Sequence, residues 1–140
     1  MCFCLGHTIV CATNEGLFAR VGLCSNRGHC SFTSSNGKCF SVDLSSPNYL
    51  NELISVAKSW DFFSYVAGSI LAMLEYAESL QLSTIKESGI AINNYKTTLP
   101  MGKGLSSSAA VCVLVVKSFS DYFLLNLSTE EVKQMYDSEI

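Results

Sequence analysis

Between Leu99 and Ala110 the chain reads Leu-Pro-Met-Gly-Lys-Gly-Leu-Ser-Ser-Ser-Ala-Ala, and these residue types at this spacing suit a phosphate cradle. Gly102 and Gly104 let the backbone turn tightly. Pro100 punctuates a strand end. Ser106, Ser107 and Ser108 open an apolar run from Ala109 to Val116 that reads as the first turns of a buried helix. A glycine turn feeding a helix N-terminus gathers unpaired backbone N–H groups at the positive end of a helix dipole, which is a setting for an anion. Lys103 adds a mobile cation in the turn. The three serine hydroxyls can donate to phosphate oxygens or sit on a magnesium ion.

Rival chemistries fit less well. A Walker A loop needs Gly-Lys followed directly by Ser or Thr, and here Lys103 is followed by Gly104. No Gly-x-Ser-x-Gly elbow is present, and neither His7 nor His29 stands at a telling spacing from a nucleophile, so acyl transfer is disfavoured. Cys2, Cys4 and His7 are soft metal ligands by type. No Cys-x-x-Cys or His pair completes a tetrahedral shell around them. The cysteine count is odd at 7, unlike a disulfide framework, and reduced thiols packed as small hydrophobes are expected. Asp121 and Asp137 sit on helix faces as solvated carboxylates, which leaves no good candidate for a base that could activate an acceptor hydroxyl.

The elements that must hold the cradle follow from pattern. Thr8–Ala12 and Leu17–Cys24 are apolar, partly β-branched runs separated by Asn14-Glu15-Gly16, and they are expected as strands. Cys30–Thr33 and Cys39–Leu44 flank Ser34-Ser35-Asn36-Gly37, a strong hairpin signal. Ser46 before Pro47 predicts an N-cap opening a short helix toward Lys58. From Trp60 to Ser79, Phe63, Val66, Ala67, Ile70, Leu74 and Ala77 fall at steps of three and four, which predicts a helix with its aromatics in the core. Gly89–Tyr95 is the strand from which the glycine turn departs. The helix from Ser107 is expected to be central in its first half, to expose Lys117, Ser118 and Asp121, and to close at Asn126. Ser128-Thr129-Glu130-Glu131 is a capping box for a last helix running to Glu139.

Composition sets the outer bounds. The chain has 140 residues, 49% hydrophobic and 15% charged, with a formal net charge of -3, so one globular domain with a real core is expected. No basic patch argues for nucleic acid. The N-terminus lacks a positive leader region, and the Ala109–Val116 run is too short to cross a bilayer, so a cytoplasmic protein without membrane partners is expected.

The Pro100–Ala109 stretch resembles the second motif of the GHMP kinases, the superfamily of galactokinase, homoserine kinase and mevalonate kinase, which runs roughly Pro-x-Gly-x-Gly-Leu-(Ser/Gly)-Ser-Ser-Ala. The triple serine looks most like the sugar-kinase branch, and Trp60, Tyr65 and Gly68 are similar to a Trp…Tyr-x-x-Gly stretch of galactokinase-like chains. The resemblance implies an α+β fold of the ribosomal S5 domain 2 type, with an antiparallel or mixed sheet and helices packed on one face. It implies that residues 1–140 form an N-terminal ATP-binding domain, using ATP and Mg²⁺ to phosphorylate a small molecule: a sugar, a sugar acid or a mevalonate-like acceptor. Gly102, Lys103, Gly104, Leu105, Ser106, Ser107 and Ser108 are then expected to wrap the triphosphate, with Ser108 and Glu139 on the metal, although the alanines that usually surround that glutamate are missing. The family's Gly-Glu-His-type motif, its downstream aspartate, its third glycine-rich motif and its C-terminal domain find no match, so a fragment is expected. The alternative is a nucleotide-binding regulatory domain or a truncated product without activity of its own.

Overall fold

A computed structural model describes residues 14–100 and 107–137. The strands β1 (Leu17–Gly22), β2 (His29–Thr33) and β3 (Cys39–Asp43) come first, followed by the helices α1 (Tyr49–Lys58), α2 (Ser64–Ser79) and α3 (Thr84–Ser88). Then come β4 (Ile90–Thr97), α4 (Ser107–Tyr122) and α5 (Thr129–Asp137). The fold is α+β. The four strands form one mixed sheet in the order β1-β4-β2-β3.

β2 and β3 pair antiparallel from His29↔Asp43 to Thr33↔Cys39. Gly37 turns the hairpin at φ 84°, and the Ser34 N–H donates to the Lys38 carbonyl at 2.8 Å. β4 lies parallel to β2, from Cys30↔Ile90 to Thr33↔Asn93, and antiparallel to β1. A parallel neighbour requires a crossover, which α1, α2 and α3 supply. Alternation puts Cys30, Phe32, Val42, Ile90 and Ile92 on one buried face, as a half-buried sheet demands. The helices cover that face, and among the described residues none covers the other.

α2 is buried on most sides, from Val66 through Ala77, because α1, α4 and α5 pack around it. α4 contributes Val115, Val116 and Phe119 to the same core. Burial pushes the Cys30 thiol up to about 12, so this core cysteine is protonated and inert, and none of the described cysteines is in a disulfide. Gly89 joins α3 to β4 at φ 70°, and a Cβ there would lie 2.1 Å from the His29 carbonyl oxygen. Only glycine fits that close passage of β4 against β2.

Several boundaries differ from the sequence reading. α1 begins at Tyr49 after Asn48, not at Pro47. Ser46 instead builds a turn: its carbonyl accepts from the Tyr49 N–H and its hydroxyl from the Asn48 N–H, both at 3.3 Å. Trp60 stands outside α2 in the left-handed region, at φ 57° and 89% exposed, so it is neither helical nor core. α3 has no counterpart in the sequence pattern, being too short to show a period. α4 stops at Tyr122 because Leu124 and Asn126 turn left-handed, and the Leu125 N–H reaches back to the Ser120 carbonyl at 2.9 Å. Ser118 is buried rather than exposed, its hydroxyl donating to the Leu114 carbonyl at 2.7 Å. The first half of α4 is less central than expected, with Val113 46% exposed. The capping box of α5 is present: the Ser128 N–H donates to Glu131 Oε2 at 2.8 Å and the Glu131 N–H returns to Ser128 Oγ at 3.3 Å. The strand expected at Thr8–Ala12 lies outside the described residues.

Candidate functional site

β4 leads the chain to the glycine-rich stretch, and the end of β4 is pinned from two sides. The Thr98 N–H donates to the Gly16 carbonyl and the Gly16 N–H to Thr98 Oγ1, each at 2.9 Å. Ser35, in the β2–β3 turn, donates from Oγ to Thr97 Oγ1 at 3.1 Å. The buried Asn94 amide donates to the Lys96 and Phe18 carbonyls and accepts from Thr97 Oγ1 at 3.0 Å. These bonds tie the hairpin turn, the end of β4 and the edge strand together just ahead of the Pro100–Ala110 stretch.

On the far side of that stretch, Ser107 and Ser108 form the first turn of α4 and are half-buried. Among the described residues their hydroxyls have no hydrogen-bond partner, and the first-turn N–H groups of α4 have no acceptor outside the helix. Such groups are the four that every helix leaves open. Gly102, Lys103, Gly104, Leu105 and Ser106 lie outside the described residues, as does Glu139.

Two cavities meet at this helix end. One, of about 640 Å³, opens between the hairpin turn, the end of β4 and the start of α2, and takes in Asn36, Phe62, Leu99, Ser107 and Ser108. The other, of about 620 Å³, lies among α1, α2, α4 and α5 and takes in Lys58, Gly68, Ser108, Cys112 and Met135. Trp60, Tyr65 and Ser108 line both. The aromatic pair is therefore a wall between two spaces, not core packing.

The loop that presents Trp60 is built locally. Ser59 Oγ donates to the Val56 carbonyl at 2.7 Å and accepts from the Asp61 N–H at 3.2 Å. Phe63 anchors the loop's other end in the core, its ring 5.7 Å from that of Phe40 and 6.4 Å from that of Phe32. With both ends held, the intervening Trp60 is displayed outward. The sequence reading puts Trp60 on the helix. The signal that could have moved it is Ser59 followed by Trp-Asp, a polar break before the apolar period starts at Phe63. That reading also misses Asn36 and Thr97, whose part depends on a contact across 62 residues between Ser35 and Thr97.

The cavity walls are poor in charge. Asp61 lines the first cavity, but its Oδ1 already accepts from the Phe62 N–H at 2.6 Å. In the second cavity the hydroxyls of Ser64 and Ser69 are committed to the Asp61 and Tyr65 carbonyls at 2.9 and 2.8 Å. Among the described residues no group of three or more His, Cys, Asp or Glu stands together as a metal site. A magnesium ion carried on nucleotide phosphates needs only one or two protein oxygens, and the open Ser108 hydroxyl fits as one of them.

Comparison with known proteins follows the same lines. The profile described as GHMP kinases N terminal domain matches residues 64–139, more than half of the chain. A mevalonate kinase of Thermococcus sibiricus (strain DSM 12597 / MM 739) is 35% identical over 78 residues, 56% of this chain and 21% of that protein. The crystal structure of the Methanococcus jannaschii mevalonate kinase superposes with a TM-score of 0.64 at 19% identity, covering 84% of this chain and 33% of that one. A second mevalonate kinase structure gives 0.62 at 20% identity, over 85% and 35%. The likeness in fold thus extends across nearly the whole chain, which spans about a third of the length of these solved relatives. No described helix is long and apolar enough to cross a membrane.

Proposed function

This chain belongs to the GHMP kinase family, and from that premise we propose that it binds ATP and serves phosphoryl transfer to a hydroxyl of a small molecule. The observation that carries the proposal is the convergence at one helix end. The open hydroxyls and N–H groups of Ser107 and Ser108 face two cavities, and the glycine-rich stretch that ends there has the family's motif. In this reading, residues 102–108 cradle the phosphates through backbone N–H groups, and Lys103 neutralises part of their charge. Trp60 and Tyr65 offer the flat apolar wall on which a nucleobase stacks. Ser108 would supply one oxygen to magnesium and Glu139 a second, and the ion would neutralise phosphate charge when bound. The residues position and stabilise; phosphoryl transfer asks little more of a protein on the donor side.

The acceptor is a sugar or sugar acid on the triple-serine likeness, or mevalonate on the names of the matched relatives. Phosphorylation by ATP is to be assayed across galactose, arabinose, galacturonate, glucuronate and mevalonate. Turnover of one acceptor that falls at least tenfold in Ser108→Ala supports the reading, with about that loss expected for a charge-assisted contact. No turnover and no Mg·ATP binding by calorimetry refutes it. A second reading, nucleotide binding without turnover, is favoured by one observation. Asp61 is the only carboxylate lining either cavity among the described residues, and it is already engaged by backbone. Tight Mg·ATP binding with every acceptor silent selects that reading.

A further inference from the structure

Most of the described cations are engaged by an ion pair or an aromatic ring. Lys86 pairs with Glu78 and Lys117 with Asp121. Arg20, Lys38 and Lys96 lie over the rings of Tyr95, Phe62 and Phe18 at 4.9, 4.5 and 5.4 Å. Among the cations whose side chains are described, that leaves Arg27 and Lys58 outside any ion pair or ring contact, and Arg27 lines neither cavity. Lys58 does. It is the last residue of α1, two positions before Trp60, and it stands on the wall of the cavity that also holds Ser108. Among the described residues no carboxylate lines that cavity and none pairs with Lys58.

An unpaired lysine on the wall of a largely apolar cavity is suited to a ligand with an anionic group. Of the residues on that wall, Ser108 is the one the nucleotide reading sets at the phosphates, and an ammonium is matched to that charged end rather than to a neutral base. We infer that Lys58 is a recognition residue for the phosphate chain of a nucleotide, reaching it from the α1 side of the cavity that Ser108 also lines. The inference rests on the nucleotide reading above. It assigns to that ligand a cation that lies outside the glycine-serine motif and 45 positions from Lys103. Because Lys58 is exposed at the C-terminal end of α1, whose packing rests on residues such as the buried Leu53, replacing it leaves the fold intact.

Calorimetry on the full chain separates the possibilities, with Mg·ATP and with adenosine as the ligands, in wild type, Lys58→Ala and Lys58→Arg. Lys58→Ala is expected to weaken Mg·ATP roughly tenfold and to leave adenosine within about twofold, as for removal of one charge-assisted hydrogen bond at the phosphates alone. Lys58→Arg keeps most of the affinity. Added salt narrows the gap between wild type and Lys58→Ala, since the interaction is solvent-exposed. Unchanged Mg·ATP affinity in Lys58→Ala overturns the inference while leaving the nucleotide site standing, and so does an equal loss for adenosine. A wild-type chain that binds no Mg·ATP overturns both.

Discussion

Trp60 illustrates how a single residue changes meaning between sequence and structure. Counted along the chain, it opens an apolar period and reads as core; in space it sits at φ 57° and 89% exposed, where two cavities meet. A large side chain held in the left-handed region costs free energy, and the bonds of Ser59 and the anchoring of Phe63 hold it there. As the only tryptophan of the chain, it reports on its own surroundings. Saturating Mg·ATP is expected to quench or shift its fluorescence, and Trp60→Ala to weaken binding roughly tenfold by removing the stacking surface. Emission unchanged at a ligand concentration that calorimetry shows to be saturating would exclude Trp60 from the base site.

At the scale of elements, two junctions set how neighbouring segments meet. Gly89 lets β4 start beside β2, and its substitution by alanine sets a methyl group against the His29 backbone in a conformation that L-residues avoid. Gly89→Ala is expected to cost at least about 3 kcal/mol, read as a lower urea midpoint. The other junction is the start of α5. The Ser128 N–H first and the Ser128 hydroxyl second hold the Glu131 carboxyl below its ordinary value. A carboxyl lowered in the folded state adds stability that is fully present above its unfolded value of 4.5 and is lost as the pH falls through the lower folded value. The thermal midpoint is therefore expected to decline below about pH 4.5 less steeply in Glu131→Gln than in wild type. Parallel acid profiles for the two would show that the capping box carries no pH dependence. The capping box was legible because its partners are three residues apart. The Gly89 passage was not, because His29 lies 60 positions upstream.

For the molecule as a whole, one core joins sheet and helices, and α4 is its link to the site. Phe119 is fully buried three turns beyond Ser108, so the packing that stabilises the domain also orients the helix end that faces the cavities. Phe119→Ala is expected to lose about 3–5 kcal/mol in urea unfolding. At temperatures where the variant stays folded, its Mg·ATP affinity is expected to fall as well, since a cavity beneath α4 loosens its N-terminal turn. Retained affinity in a destabilised but folded variant would show that helix position and site are independent.

The sequence alone determined the hairpin, the capping box and the motif that carries the family resemblance, and through that resemblance the α+β class; the hairpin and the cap recur in the structure for a physical reason. Each rests on residues within about one helical turn or one hairpin of each other, where chain connectivity already fixes the geometry. Tertiary structure decided the rest: that Trp60 faces outward, that Ser118 turns inward, and that Lys58, Tyr65 and Ser108 share a cavity wall. Those outcomes depend on which faces of α1, α2 and α4 meet when the common core is buried, and no spacing within a single segment encodes that meeting.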